Sequence, residues 1–281
     1  MITPRRVFEE NIRPAELLLR VYRLLECDTV QTGGEMIGAL CTLVHAAPDE
    51  DLMLVYNEIF LGLVRESSRV SRADLKRSAL DNLLRQAVVV ACTGLDTYLP
   101  ALLKTNLPIV IQARGREFIP RDKELLEYFK TFTFSLTDTL RLLEDPGEGA
   151  TLFIANKMLS FMSYKYLSSS KGVRVVGTLL GLEKPWEQIG KKLGRTDSSE
   201  LETVINRTAD RRNDIVHRAD RSEKDADGTM QEVGVAWATQ SVDTINHVCL
   251  ALDELVAEHV RELRVQVQAT AAMPVKVATP S

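Results

Sequence analysis

Residues 198–220 read SSELETVINRTADRRNDIVHRAD, and their spacing predicts one helix. Asp197, with Glu200 three residues later, has the spacing of a capping box ahead of an apolar-periodic run. Leu201, Ile205, Thr208, Arg212, Ile215 and Ala219 then recur at helical spacing, flanked by Val204, Ala209 and Val216. Arg212 stands near the middle of that arc, where an apolar residue is expected. A buried guanidinium is costly unless an acid or a ligand pairs with it. Arg212 therefore calls for a carboxylate partner, or for a cleft that anions enter.

The same test applied upstream finds a second anomaly. Residues 71–103 form the longest helical run, nearly all apolar from 86 to 95, with Pro100 expected to bend or end it. Cys92, Asp96, Leu99 and Leu103 share one face, so Asp96 is a carboxylate on the core side. Buried carboxylates need partners. Two central helices, each with one charge out of place, predict an Asp96–Arg212 ion pair or a shared cleft. The plainer reading is a pair that serves packing specificity alone.

Composition narrows the class. The chain has 281 residues, 45% of them hydrophobic and only 6% aromatic, which favours helix-on-helix packing. A net charge of -4 does not suggest a general nucleic-acid coat, so any such contact needs a local patch. Cys27, Cys41, Cys92 and Cys249 are scattered and read as reduced thiols, not a disulfide frame. No apolar run is read as long enough to span a membrane, and the first thirteen residues are too charged for a signal peptide. A cytoplasmic, soluble protein is the expectation.

Along the chain, residues 13–27 predict an amphipathic helix with Pro14 in its first turn, 30–34 a turn, and 35–46 and 49–66 two further helices. His45 reads as a packing histidine. Residues 105–121 predict a connector with a short extended piece at 109–112, locally basic through Arg114, Arg116, Arg121 and Lys123. Helices are expected next at 123–143 and 149–168, then a loop at 169–181, a proline-started helix at 185–193, and a final helix at 239–263. Residues 233–238 are expected to be extended. His247 and His259 read as ordinary helix residues, too far apart to share a metal. The Asp225–Asp227–Gly228 run is not a calcium loop, because Gly234 stands where the closing glutamate belongs. No metal and no cofactor is expected. The domain plan is a helical extension at 1–70, a helical domain at 71–265 and a mobile tail at 266–281.

The segment Arg212-Asn213-Asp214-Ile215-Val216-His217 has the form Arg-polar-x-x-x-His. With PWEQIGKKLG before it and LLRQAVVVACTGLDTYLPALL further upstream, it resembles the RiboL-PSP-HEPN family of the HEPN superfamily over residues 73–265. The resemblance implies an all-α, multi-helix bundle of HEPN type, with additional N-terminal helices. It implies metal-independent endoribonuclease activity, of a toxin-like or antiviral-defence kind. It further implies Arg212, Asn213 and His217 as catalytic residues, and Asp96 as a supporting acid where many members carry glutamate. Arg211 and Arg218 would contact RNA. The family also implies a homodimer through the motif helix, an RNA substrate and a neutralising or regulatory protein partner. The alternative is a non-catalytic HEPN helical module that binds RNA, a nucleotide or a partner protein.

Residues five apart on an ideal helix differ by roughly 140° in direction and about 7.5 Å in rise. Arg212 and His217 therefore share no stripe, whereas Asn213 and His217 do. Either the helix loosens near its end, or another helix or subunit completes the site.

Overall fold

Helices dominate because the apolar residues recur at helical spacing over long stretches and few glycines interrupt them. The computed structural model describes residues 3–26, 29–32, 35–43, 45, 52–56, 61–65, 68–69, 74, 77–118, 123–144, 148–162, 169–221 and 230–271. Among these the order is α1 (Pro4–Leu25), β1 (Thr29–Thr32), α2 (Glu35–Leu43), β2 (Leu52–Tyr56), β3 (Leu61–Arg65), α3 (Arg77–Arg114), α4 (Lys123–Phe129) and α5 (Leu136–Glu144). Then come α6 (Glu148–Met162), α7 (Ser170–Leu179), α8 (Pro185–Lys192), α9 (Ser199–Arg218) and α10 (Val235–Ala271). The fold is an all-α, multi-helix bundle carrying one small sheet. The chain divides into two compact units. The first comprises Met1–Ile12, Ala91–Arg211 and Asp243–Ser281; the second comprises Arg13–Val90 and Arg212–Val242.

In the second unit the expected helix at 49–66 is instead a pair of antiparallel strands, with Leu52 opposite Arg65 and Tyr56 opposite Leu61. The expected turn at 30–34 supplies the third strand, with Thr29 opposite Tyr56. Apolar runs of five residues carry no period that separates strand from helix, and tertiary pairing decides between them. The helix at 13–27 starts earlier than expected, at Pro4, and passes through Pro14. His45 is exposed with a left-handed φ of 53°, so it is no packing histidine.

In the first unit, α3 passes through Pro100 and Pro108 and ends at Arg114, so residues 109–112 are helical and not extended. A proline inside a helix costs about 3 kcal/mol. Leu99, Leu102, Leu103, Leu107 and Val110 are buried around the two prolines. At about 1.5–3 kcal/mol for each such side chain, their burial outweighs both. The stretch Ala79–Arg114 is long and apolar enough to cross a membrane, contrary to expectation, yet 56% of its apolar window is buried inside the fold, as in a core helix. Tyr98 anchors it, donating its hydroxyl to the Cys249 carbonyl at 3.0 Å and lying 3.3 Å from Asp253 Oδ1, with Phe8 packed at 5.3 Å. Cys92 and Cys249 are buried thiols and Cys41 is half-buried; Cys27 lies outside the described residues.

The expected loop at 169–181 is α7. Its Val173, Val175, Val176 and Leu179 are buried, which offsets the poor helix propensity of Gly172 and Gly177. Gly177 is needed where it stands, because a Cβ there would lie 2.7 Å from the Pro185 ring. Trp186 closes the corner by donating Nε1–H to the Ser170 carbonyl at 3.0 Å. The final helix runs beyond both expected ends, from Val235 to Ala271, so residues 235–238 and 266–271 are helical. The tail from 272 and the segment 222–229, with Asp225, Asp227 and Gly228, lie outside the described residues.

Residues 123–143 form two helices, not one. Thr131 and Thr133 are weak helix formers, and Ser135 competes for the backbone as a cap. Phe132 and Phe134 in the break join Phe129, Phe153 and Phe161 in an aromatic cluster. Ser135 and Asp138 form a reciprocal capping box on α5: Ser135 N–H donates to Asp138 Oδ2 at 3.0 Å, and Asp138 N–H donates to Ser135 Oγ at 3.1 Å. The Lys157 ammonium, 2.8 Å away, and then Ser135 hold the Asp138 carboxyl down to about 2. A depressed carboxyl stabilises the fold above its unfolded value of about 3.9 and loses that contribution as pH falls toward 2. A carboxyl-detected NMR titration should place the Asp138 midpoint near 2 and raise it in Lys157→Ala. A midpoint at the ordinary value would show that neither the Lys157 pair nor the capping box holds in solution.

Candidate active site

Helix α9 begins differently from expectation. Asp197 Oδ1 accepts the Ser199 N–H at 2.8 Å, while Glu200 turns away to Arg195 at 2.6 Å, so the capping box does not close. The carboxylate still meets one of the amides that a helix start leaves without a helical partner. Leu201, Ile205, Thr208 and Ile215 are buried as the periodicity requires, and Ala209 with them.

Its C-terminal half carries the motif. Arg211 and Arg212 are half-buried, and Asn213, His217 and Arg218 are exposed. Asn213 and His217 sit one turn apart on a single solvent-facing stripe. Arg218 Nη1 donates to Asp214 Oδ1 at 3.1 Å, an ordinary pair on the same helix. The helix stays regular through Arg218. The loosening that would have swung Arg212 toward His217 is therefore absent. Asp96 is half-buried on α3 and belongs to the first unit; Arg212 and His217 belong to the second. Among the described residues no three His, Cys, Asp or Glu side chains gather as a metal would need.

Just beyond the motif lies an arrangement that the helical periodicity does not announce. The chain leaves α9 through Ala219 at φ 52° and Asp220 at φ 61°, two consecutive left-handed residues without a glycine. The Asp220 N–H reaches back to the Asp214 carbonyl at 3.0 Å, and the Asp220 carbonyl accepts the Gln231 N–H at 2.9 Å. The Asp220 side chain is wholly buried, at 0% exposed, against Arg85 at 5%. Arg85 Nε donates to Asp220 Oδ2 at 2.6 Å, and Arg85 Nη2 donates to the Gln231 carbonyl at 2.7 Å. A buried, hydrogen-bonded ion pair thus pins the end of the motif helix within the second unit. The signal available in the sequence is Arg85 itself, a charge set between Leu84 and Val88 on the buried side of α3.

Backbone strain is stored beside the motif. An L-residue in the left-handed region costs about 1 kcal/mol or more relative to glycine. Ala219 is exposed, so its methyl group contributes little packing in return. Ala219→Gly should raise stability by about 0.5–1 kcal/mol, read as an upward shift of the urea midpoint at unchanged slope. A downward shift would mean that this corner is not left-handed.

No protein-family model, curated protein or solved structure matches the chain.

Proposed function

We propose that the protein is a metal-independent endoribonuclease whose catalytic groups are Arg212, Asn213 and His217. The observation that carries this reading is the solvent-facing Asn213–His217 stripe, one turn long, beside Arg212 on a helix whose end is pinned by a buried ion pair. An exposed imidazole suits proton transfer because its ordinary pKa lies near working pH. A guanidinium suits the phosphate because its planar fork binds two oxygens and keeps its charge. The ribose 2′-oxygen attacks phosphorus as its proton passes to a base, and the P–O5′ bond breaks as the leaving oxygen gains a proton. The products carry a 2′,3′-cyclic phosphate and a 5′-hydroxyl. His217 serves one proton transfer, and Asn213 orients its ring or contacts the ribose.

The regular helix supports a composite site. Arg212 and His217 point about 140° apart on one α9, so a phosphate held by both needs a second copy of the helix. A homodimer through α9 supplies an Arg212 from one chain and a His217 from its partner, and brings the Arg211 and Arg218 side chains of both chains to one groove. A toxin-like or defence role, with a neutralising protein partner, fits such an enzyme. The test is total RNA incubated with the protein in EDTA, beside Arg212→Ala and His217→Ala, with end-group analysis of the products. Cleavage by the wild type alone, leaving cyclic-phosphate ends, supports the assignment. Equal background from all three proteins refutes it, and retention of RNA without cleavage moves the protein to the binding-module reading.

A further inference from the structure

A cleft of about 800 Å³ opens in the first unit, far along the sequence from the α9 motif, between the end of α3, the α7–α8 corner and α10. A smaller one of about 380 Å³ shares its Arg114, Gly181, Leu182, Glu183 and His259 wall. By sequence, Arg114 belongs to a basic connector and His259 is an ordinary helix residue, and neither is expected to line a site.

The two meet there. Arg114 Nη2 donates to the Gly181 carbonyl at 3.2 Å and lies 3.4 Å from His259 Nε2. A guanidinium only donates, so a hydrogen bond here takes the His259 tautomer that leaves Nε2 as acceptor and carries the proton on Nδ1. That Nδ1 is 4.0 Å from Glu262 Oε2. Burial first, and then the Arg114 charge, push the His259 pKa down, while Glu262 opposes them. Gly181 makes the meeting possible. It sits at φ 93°, and a Cβ there would stand 2.6 Å from His259 Nε2 and 2.8 Å from Arg114 Nη2. The corner is thus shaped so that two nitrogen heads converge over bare backbone.

The Gly181 carbonyl gives Arg114 a structural role just past the end of α7, and the imidazole beside it sets a second nitrogen at the same corner. An oxyanion arriving at the pair would accept from Arg114 and, once His259 gains a proton, from both. Arg174 lies on the same walls, as does Lys184, whose ammonium is paired with Glu187 at 2.8 Å; Glu117 and Glu183 oppose the positive charge, and Phe118, Leu179 and Leu263 give an apolar side. The volume lies in the range of small-molecule sites.

We propose that this cleft binds a small organic phosphomonoester, with its phosphate on Arg114 and His259 and its body along the Phe118–Leu263 wall. A dianion with three oxygens suits the convergent donors better than a carboxylate. Binding should draw a proton onto His259. The groups that face that imidazole are Arg114 from α3, Glu183 from the α7–α8 corner, and Glu258 and Glu262 from its own helix, with Glu258 already held by Lys192 at 2.8 Å.

The probe is phenyl phosphate, titrated calorimetrically into the full chain in two buffers of different ionisation enthalpy. Inorganic phosphate, phenylacetate and benzyl alcohol are the comparison ligands. One-site saturable binding is expected, with proton uptake that disappears in His259→Gln. Arg114→Ala and Gly181→Ala should each weaken binding about tenfold or more. His217→Ala should bind like the wild type, which separates this site from the ribonuclease reading. The proposal is overturned if a cooperatively melting wild-type protein shows no saturable binding. It is equally overturned if affinity survives both Arg114→Ala and Gly181→Ala, or if phenylacetate binds as tightly as phenyl phosphate.

Discussion

Asp220→Ala is expected to destabilise the protein by about 3–5 kcal/mol, the cost of leaving one member of a buried ion pair alone. Arg85 would keep the Gln231 carbonyl at 2.7 Å and Asn82 Oδ1 at 3.4 Å, but would lose the carboxylate that balances its charge at 5% exposure. Most small domains have a total stability of only about 5–15 kcal/mol, so a loss of this size removes a large share. Asp220→Asn should cost less, since an amide oxygen still accepts from Nε–H and asparagine tolerates the left-handed backbone at φ 61°. Arg85→Met combined with Asp220→Asn should recover much of the loss, because the unbalanced charge is gone. Urea denaturation of the four proteins measures all of this, and an Asp220→Ala change below about 1 kcal/mol would mean that the pair is not buried in solution. On the proposed ribonuclease reading, the same variant should also lower cleavage. The Asp220 N–H closes the end of α9 onto Asp214, so fraying there disturbs the turn that presents His217.

His217→Ala should lower RNA cleavage by about two to four orders of magnitude, the usual worth of a positioned acid–base group. Arg212→Ala should fall comparably, through loss of charge-assisted phosphate contacts. Mixing the two inactive variants asks where the site is assembled. If each site takes its arginine from one chain and its histidine from the other, a mixed dimer holds one intact site and one doubly damaged site. Random exchange then restores about a quarter of wild-type cleavage. No recovery on mixing, with exchange verified by mass, would sink the two-chain site and leave cleavage to groups within one chain. His217→Ala should leave the urea midpoint nearly unchanged, since His217 is exposed.

Much of the helical plan is legible because helices advertise themselves locally. The positions of α8 and α9 are set by Pro185, Trp186 and the Leu201–Ile205–Ile215 stripe, and the structure keeps them. The departures share one cause. By sequence, Pro100 bends or ends α3, residues 169–181 read as a loop in place of α7, and residues 49–66 read as a helix. In each case local propensity is worth only about 1–3 kcal/mol, and burial or strand pairing from distant residues exceeds it.

Sequence alone determined the class of fold and the one-turn Asn213–His217 stripe, since both stem from a 3.6-residue period that needs no neighbour. Only the tertiary structure decided that the buried partner of Asp220 is Arg85, 135 residues away, and that Arg114 and His259 converge over Gly181. Those pairings depend on which helix ends meet and at what distance. Such geometry is set by the packing of the whole chain and leaves no periodic trace in it.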